Sequence, residues 1–197
     1  MGAREMLESL GHVHKRVAIH LRVTDLSRLK IYNYPGPEYF QKAMRHFREK
    51  WDNVTFLVFS DNPVWCKQQS LFAGNDVQVK ERGPRDSTAE KNNDFALMSA
   101  CDGVIQSIGT FGWWAGHFSS QNGGEVVYFK NGINTTNLID GLPANEQDLF
   151  PPHWVGLVAP ALEHTFNGKK VHVEDLKGDV LSLRPSVAAF KSAHVSK

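Results

Sequence analysis

A chain of 197 residues, 41% hydrophobic and 22% charged, has material for one domain with a sizeable core and too little for two large ones. Its formal net charge of +1 means that any basic patch must be local, so charge gives nucleic-acid and membrane-surface binding no support. Two cysteines, Cys66 and Cys101, are too few for a disulfide scaffold and lack metal-site spacing, so buried thiols are favoured over a single disulfide.

Residues 1–15 mix Arg4, Glu5, Glu8, His12, His14 and Lys15 with isolated apolar residues. They read as a connecting segment with a short helix from Ala3 to Leu10, and they lack the apolar centre of a signal peptide. No window approaches a membrane span. Taken literally, this places the chain in the cytosol. Two sequons, Asn53-Val54-Thr55 and Asn134-Thr135-Thr136, pull the other way, since they would be glycosylation acceptors in a secretory protein.

Arg16-Val17-Ala18-Ile19-His20-Leu21-Arg22 is an apolar run ending in polar residues, which suits a buried parallel strand that delivers His20 and Arg22 to its carboxyl end. Beyond Pro35 and Pro37, apolar residues recur at helical spacing at Tyr39, Phe40, Ala43, Met44, Phe47 and Trp51; this stripe is core packing. Thr55 to Phe59 is a second buried strand, and Ser60-Asp61-Asn62-Pro63 ends it and caps a short helix through Lys67. Val77 to Val79 is short enough for a third strand, and Glu81 to Asn93, holding Gly83-Pro84-Arg85-Asp86, has the composition of a mobile polar loop. Asn93 or Asp94 then caps a helix carrying Phe95, Leu97, Met98 and Cys101.

Gly103 to Ser107 forms the next strand, and Ile108-Gly109-Thr110-Phe111-Gly112 turns into a helix through Phe118. Asn122-Gly123-Gly124 leads to a strand from Glu125 to Phe129. From Lys130 to Trp154 the chain reads as irregular, broken by Pro143, Pro151 and Pro152. The domain is drawn over residues 16–162, and residues 163–197 form a weakly patterned, partly disordered tail with a helix near Ser186 to His194. Strands alternating with helices imply an α/β, Rossmann-like parallel sheet with right-handed crossovers.

In such sheets ligands sit beyond the carboxyl ends of the strands. The residues there are His20, Arg22 and Asp25 after the first strand, Ser60, Asp61 and Asn62 after the second, and Ser107 to Gly112 after the fourth. Ser107, Gly109, Thr110 and Gly112 are small or hydroxylic where backbone amides at a helix start can approach an anion, and a pyrophosphate suits that place. Strand-to-helix turns also use Gly and Thr for geometry and capping alone. Arg22 offers a planar guanidinium that stays charged and can neutralise a diphosphate; its alternative role is a salt bridge to Asp25.

Taken in order, these pieces carry a resemblance. His20-Leu21-Arg22-Val23-Thr24-Asp25 resembles the His-x-Arg-Arg-Gly-Asp motif of the galactoside alpha-1,2-fucosyltransferases, glycosyltransferase family 11, which have a GT-B-like fold. Phe56 to Asp61 with Trp65-Cys66 is similar to that family's next strand and helix. Asp94-Phe95-Ala96-Leu97-Met98 through Cys101, then Ile108 to Gly112 and Trp114, is similar to its most distinctive segment. The likeness continues to Pro152-His153-Trp154. Val23 and Thr24 depart from the motif's second arginine and its glycine, so the phosphate role rests on Arg22.

The resemblance implies the C-terminal, donor-binding half of a GT-B-type enzyme. It implies GDP-fucose as donor and a galactose-containing glycan as acceptor, with inversion, no metal or other cofactor, and placement in the Golgi, on a chain with no membrane segment of its own. Its residues are Arg22, His20 and Asp25 for catalysis. Arg22, Asp61, Asp94, Ser107, Gly109, Thr110, Phe111 and Gly112 are those for donor binding. His20 would orient phosphates or fucose, Asp25 would act as a base or fix Arg22, and Asp94 would contact the nucleotide or merely cap its helix. A noncatalytic GDP-fucose-binding module is the competing reading.

Overall fold

The computed structural model describes residues 14–23, 32–81, 87–130, 132–133, 148–161, 165–166 and 169–170. The expected helix from Ala3 to Leu10, Asp25, the Gly83 to Asp86 loop, the Asn134 sequon and the helix near Ser186 to His194 lie outside the described residues. Along the chain run β1 (Lys15–Leu21), α1 (Pro37–Lys50), β2 (Val54–Ser60), α2 (Pro63–Lys67), a 3-10 turn (Ser70–Phe72) and β3 (Val77–Val79). After these come α3 (Thr88–Ser99), β4 (Gly103–Gln106), α4 (Thr110–Gln121), β5 (Glu125–Lys130) and β6 (Val155–Val158). A separate antiparallel pair, β7 (Thr165–Phe166) and β8 (Lys169–Lys170), falls in the segment expected to be a weakly patterned tail.

The main sheet has the order β3-β2-β1-β4-β5-β6, and its pairings are parallel. This is the doubly wound Rossmann order, in agreement with the expected fold class. The central strands are buried on both faces, which is why they read as continuous apolar runs. One face packs Val17, Ile19, Phe56, Val58, Ile105 and Val127 against α1 and α2; the other packs Ala18, Leu57, Val104 and Val126 against α3 and α4. Helix α1 turns Tyr39, Phe40, Ala43, Met44 and Phe47 inward, and large side chains such as Phe40, Met44 and Phe47 each contribute about 1.5–3 kcal/mol by leaving water. Trp51 sits just past its end and stacks on Phe47 at 5.1 Å. Tyr39 donates its hydroxyl hydrogen to the Gln106 carbonyl, tying α1 to the carboxyl end of β4.

Two expectations are corrected. Helix α3 starts at Thr88, so the span from Glu81 to Asn93 is not all loop, and Asp94 lies inside the helix instead of capping it. The true cap is Ser87, whose Oγ accepts from the Glu90 amide at 3.2 Å while the Ser87 amide donates to the Glu90 carboxylate at 3.4 Å. This capping box starts a helix whose first turns are solvated and so carry no apolar stripe. Strand β6, for which the sequence reading named no element, pairs with β5 directly after Trp154. It is short and only half-buried, which left its pattern weak. Cys66 and Cys101 are buried free thiols, and burial pushes both up to about 12.

Candidate functional site

Strand β1 feeds β2 on one side, whereas β4, its other neighbour, feeds β5 on the opposite side. Between them the order reverses, and a crevice opens beyond the carboxyl ends at such a point. His20 and Gln106 are register partners there. The first turn of α4 lies on the His20 ring: the Phe111 ring centroid is 5.7 Å away, and a Cβ built on Gly112 would stand 2.4 Å from His20 Nδ1. Only a glycine lets the helix backbone come this close.

His20 is 5% exposed, and its Nδ1 has no hydrogen-bond partner among the described residues. Burial lowers its pKa from 6.5 to about 4; the Asp61 charge opposes this and the Arg22 charge adds to it. The ring is therefore neutral at physiological pH and acts as a hydrogen-bonding group, not as a cation.

Arg22 follows at the strand end, with Nε 4.0 Å from Asp61 Oδ2 and a side chain 38% exposed. Asp61 reaches across from the end of β2: its Oδ1 accepts the Val23 amide at 2.8 Å. Ser60 and Asn62 do local work, since Ser60 Oγ accepts the Asn62 amide and Asn62 Oδ1 caps α2 through the Trp65 amide. Val23, which stands where the resembled motif has a second arginine, is fully buried in the core.

Helix α4 begins after Gly109, whose φ of 90° and ψ of 159° belong to a region that only glycine occupies readily. Among the described residues no side chain caps this helix, so its leading amides are left for water or a ligand. Ser107 is 2% exposed, and its Oγ has no partner among the described residues. Beside the turn lies a cleft of about 390 Å³ whose walls include Ser107, Ile108, Gly109, Thr110, Trp113 and Phe129. Uncapped amides, the positive end of a helix dipole and a free buried hydroxyl are together suited to an anionic oxygen.

The structure thus brings Ser107, Gly109 and Thr110 into one cleft wall and seats Phe111 and Gly112 over His20. Arg22 and Asp61 form a neighbouring pair at the ends of β1 and β2. Asp94 stands apart: 5% exposed within α3, it pairs with Lys80 Nζ at 2.6 Å just past β3. Sequence reasoning missed the opposite wall, formed by Phe129, Gly132, Ile133 and residues 148–150. The rule that ligands lie beyond strand ends, applied to β5, would have reached Phe129. Trp113 pins this wall by donating Nε1–H to the Leu149 carbonyl at 2.8 Å.

The family model for glycosyl transferase family 11 matches residues 4–158. Among curated proteins, the chain is similar to galactoside 2-alpha-L-fucosyltransferase Sec1 of Mus musculus, 29% identical over 147 residues, which are 73% of this chain and 38% of that protein. It is 31% identical to galactoside alpha-(1,2)-fucosyltransferase 1 of Sus scrofa over 147 residues, with the same two coverages of 73% and 38%. Against galactoside alpha-(1,2)-fucosyltransferase 1 of Homo sapiens the identity is 31% over 154 residues, again 73% of this chain and 38% of that protein. The chain therefore spans roughly two fifths of the length of the curated relatives it matches.

Proposed function

This chain belongs to glycosyl transferase family 11, and we propose that it is the GDP-fucose-binding part of an inverting enzyme that transfers L-fucose to a galactoside hydroxyl in alpha-1,2 linkage. The observation that carries the reading is the start of α4, which among the described residues has no side-chain cap and opens, with a Ser107 hydroxyl that has no partner among them, onto a cleft beyond the carboxyl ends of β4 and β5. The names of its relatives supply the sugar and the linkage.

In this reading the diphosphate lies across the amides of Thr110 to Gly112, and Arg22 meets the charge that grows on departing GDP without a metal ion. Each such contact supplies roughly 2–4 kcal/mol of transition-state stabilisation. Asp61 holds the Val23 backbone and stands beside Arg22, keeping the guanidinium near the strand end. Neutral His20 orients the donor through a ring nitrogen, and Asp94 serves the nucleotide from its place beside Lys80. Asp25 is the proposed base or the brace for Arg22. We place the protein in the Golgi lumen, where the exposed Asn53 sequon would be a usable acceptor.

Calorimetry of the purified chain with GDP tests the donor site. Binding is expected, and Arg22→Ala should weaken it about 10- to 100-fold, the worth of a charge-assisted hydrogen bond. Absence of binding by the unmodified chain refutes the site. A second reading is a noncatalytic GDP-fucose-binding module, which would keep the donor cleft without carrying out transfer. Transfer of labelled fucose to a galactoside by this chain would eliminate that reading, and loss of such transfer on chelation would refute a metal-free mechanism.

A further inference from the structure

Tyr39 sits behind the cleft, fully buried in the first turn of α1. Its ring packs edge-on against Phe40 at 5.1 Å and against Phe129 at 5.2 Å, and Phe129 is part of the cleft wall. A phenylalanine would fill the same space. The hydroxyl needs a reason of its own, because burying one without a partner costs free energy. It donates to the Gln106 carbonyl and, at 3.2 Å, to the Val127 carbonyl. These two carbonyls flank the last rung of the β4–β5 ladder, the pairing of Gln106 with Tyr128. Beyond that rung β4 ends and the chain turns through Ser107 into α4, while β5 continues beside β6 to Lys130. The two walls of the cleft grow from this fork.

We propose that Tyr39 is a positioning residue whose hydroxyl clamps the fork between β4 and β5 and so sets the spacing of the Ser107 to Thr110 turn from the wall that faces it; its effect on binding rests on the donor-site reading above. A single hydroxyl hydrogen shared by two carbonyls holds both strand ends at a fixed distance from α1. Burial raises the Tyr39 pKa well above the ordinary 10.0, so the hydroxyl keeps this hydrogen at any working pH. Tyr39 does not itself line the cleft, so it acts through the backbone it holds. Past the fork the two walls meet again where Trp113, on α4, donates its indole N–H to the Leu149 carbonyl. That N–H reports the spacing of the walls without any ligand.

The test compares the full chain with Tyr39→Phe and with Val54→Ala, which trims the core at the amino end of β2, away from the cleft. In Tyr39→Phe the Trp113 indole N–H resonance, recorded by NMR without ligand, should shift upfield as its hydrogen bond lengthens, and the affinity for GDP in calorimetry should fall about 3- to 10-fold. Val54→Ala should lower stability while leaving the resonance in place and the affinity within about twofold. Tyr39→para-aminophenylalanine, which keeps an N–H donor at the ring tip, should return both readouts towards those of the unmodified chain. A Trp113 resonance unmoved in Tyr39→Phe, or an unchanged GDP affinity there when the unmodified chain binds GDP, overturns the clamp. So do equal changes in Val54→Ala, which would assign the effect to stability, and a lack of recovery with the amino variant. If the unmodified chain binds no GDP while the resonance moves as expected, the donor-site reading falls and the clamp stands.

Discussion

Replacing Gly112 by alanine tests whether α4 is seated directly on the His20 ring. The added Cβ would lie 2.4 Å from Nδ1 and 2.8 Å from Cγ of His20, with Gln106 Cγ at 3.1 Å. His20 is packed at a strand end beneath Phe111 and has no room to swing aside. Overpacking of this kind costs about 1–3 kcal/mol. Alanine returns at most about 1 kcal/mol through its better helix propensity. The net loss should be up to about 2 kcal/mol, read in urea as a midpoint lower by up to roughly 1 M. In a His20→Ala background the obstacle is gone, so the same substitution should change sign and stabilise by up to about 1 kcal/mol. An equal loss in both backgrounds would refute the contact as the reason for the glycine.

The pH dependence of His20 has a definite sign: its folded-state pKa of about 4 lies below the ordinary 6.5, so the unfolded chain takes up the proton first. Stability should therefore be untouched above about pH 6.5 and fall by roughly 3 kcal/mol in total as pH drops through 4. His20→Gln should lack that part of the slope in urea titrations; an unchanged slope would show that the ring is not held neutral. Lys80→Met leaves the Asp94 carboxylate buried without its partner and should lower stability by about 3–5 kcal/mol, most of it recovered by adding Asp94→Leu. A double variant no more stable than the single one would assign the loss to something other than the pair. Trp113→Phe deletes the bond to the Leu149 carbonyl and should lower stability by about 1 kcal/mol by calorimetry, with weaker GDP-fucose binding. If stability is unchanged, that bond does not hold the wall.

The strands were legible because each central one is buried on both faces, so Val17 to Leu21 and Phe56 to Phe59 read as unbroken apolar runs. Helix α1 was legible through its inward stripe, and the α4 turn through its glycines and hydroxyls. The start of α3 escaped because capping signals are local and polar: Ser87 and Glu90 announce a helix that apolar periodicity cannot see over its solvated first turns. Asp94 misled for a related reason. An aspartate ahead of an apolar run looks like a cap, whereas here its carboxylate faces Lys80, and that pairing depends on how β3 and α3 meet. The cleft's far wall escaped because Ile133 and residues 148–150 carry no motif, and only the tertiary fold brings them opposite Ser107.

The way the helices begin argues that the α4 turn is kept for a ligand. Where stability alone is served, the chain uses a side-chain cap: Ser87 for α3 and Asn62 for α2. Helix α1 lacks one as well, but Pro37 at its start removes one donor, and Gly36 is packed so closely that a Cβ would lie 2.9 Å from the Pro160 carbonyl. Helix α4 has no side-chain cap among the described residues and no leading proline. It starts from a backbone conformation that excludes Ser, Thr, Asp and Asn, the residues that would satisfy its amides. Directly before this turn the Ser107 hydroxyl is buried with no partner among the described residues, and beneath it the His20 nitrogen is in the same state. Other buried polar atoms without a partner among the described residues lie elsewhere in the fold, at Trp65, Ser99, His117 and Trp154, but these two adjoin the uncapped amides. A sequence selected for stability alone would close them, and an anionic ligand on the turn satisfies the amides and the hydroxyl together.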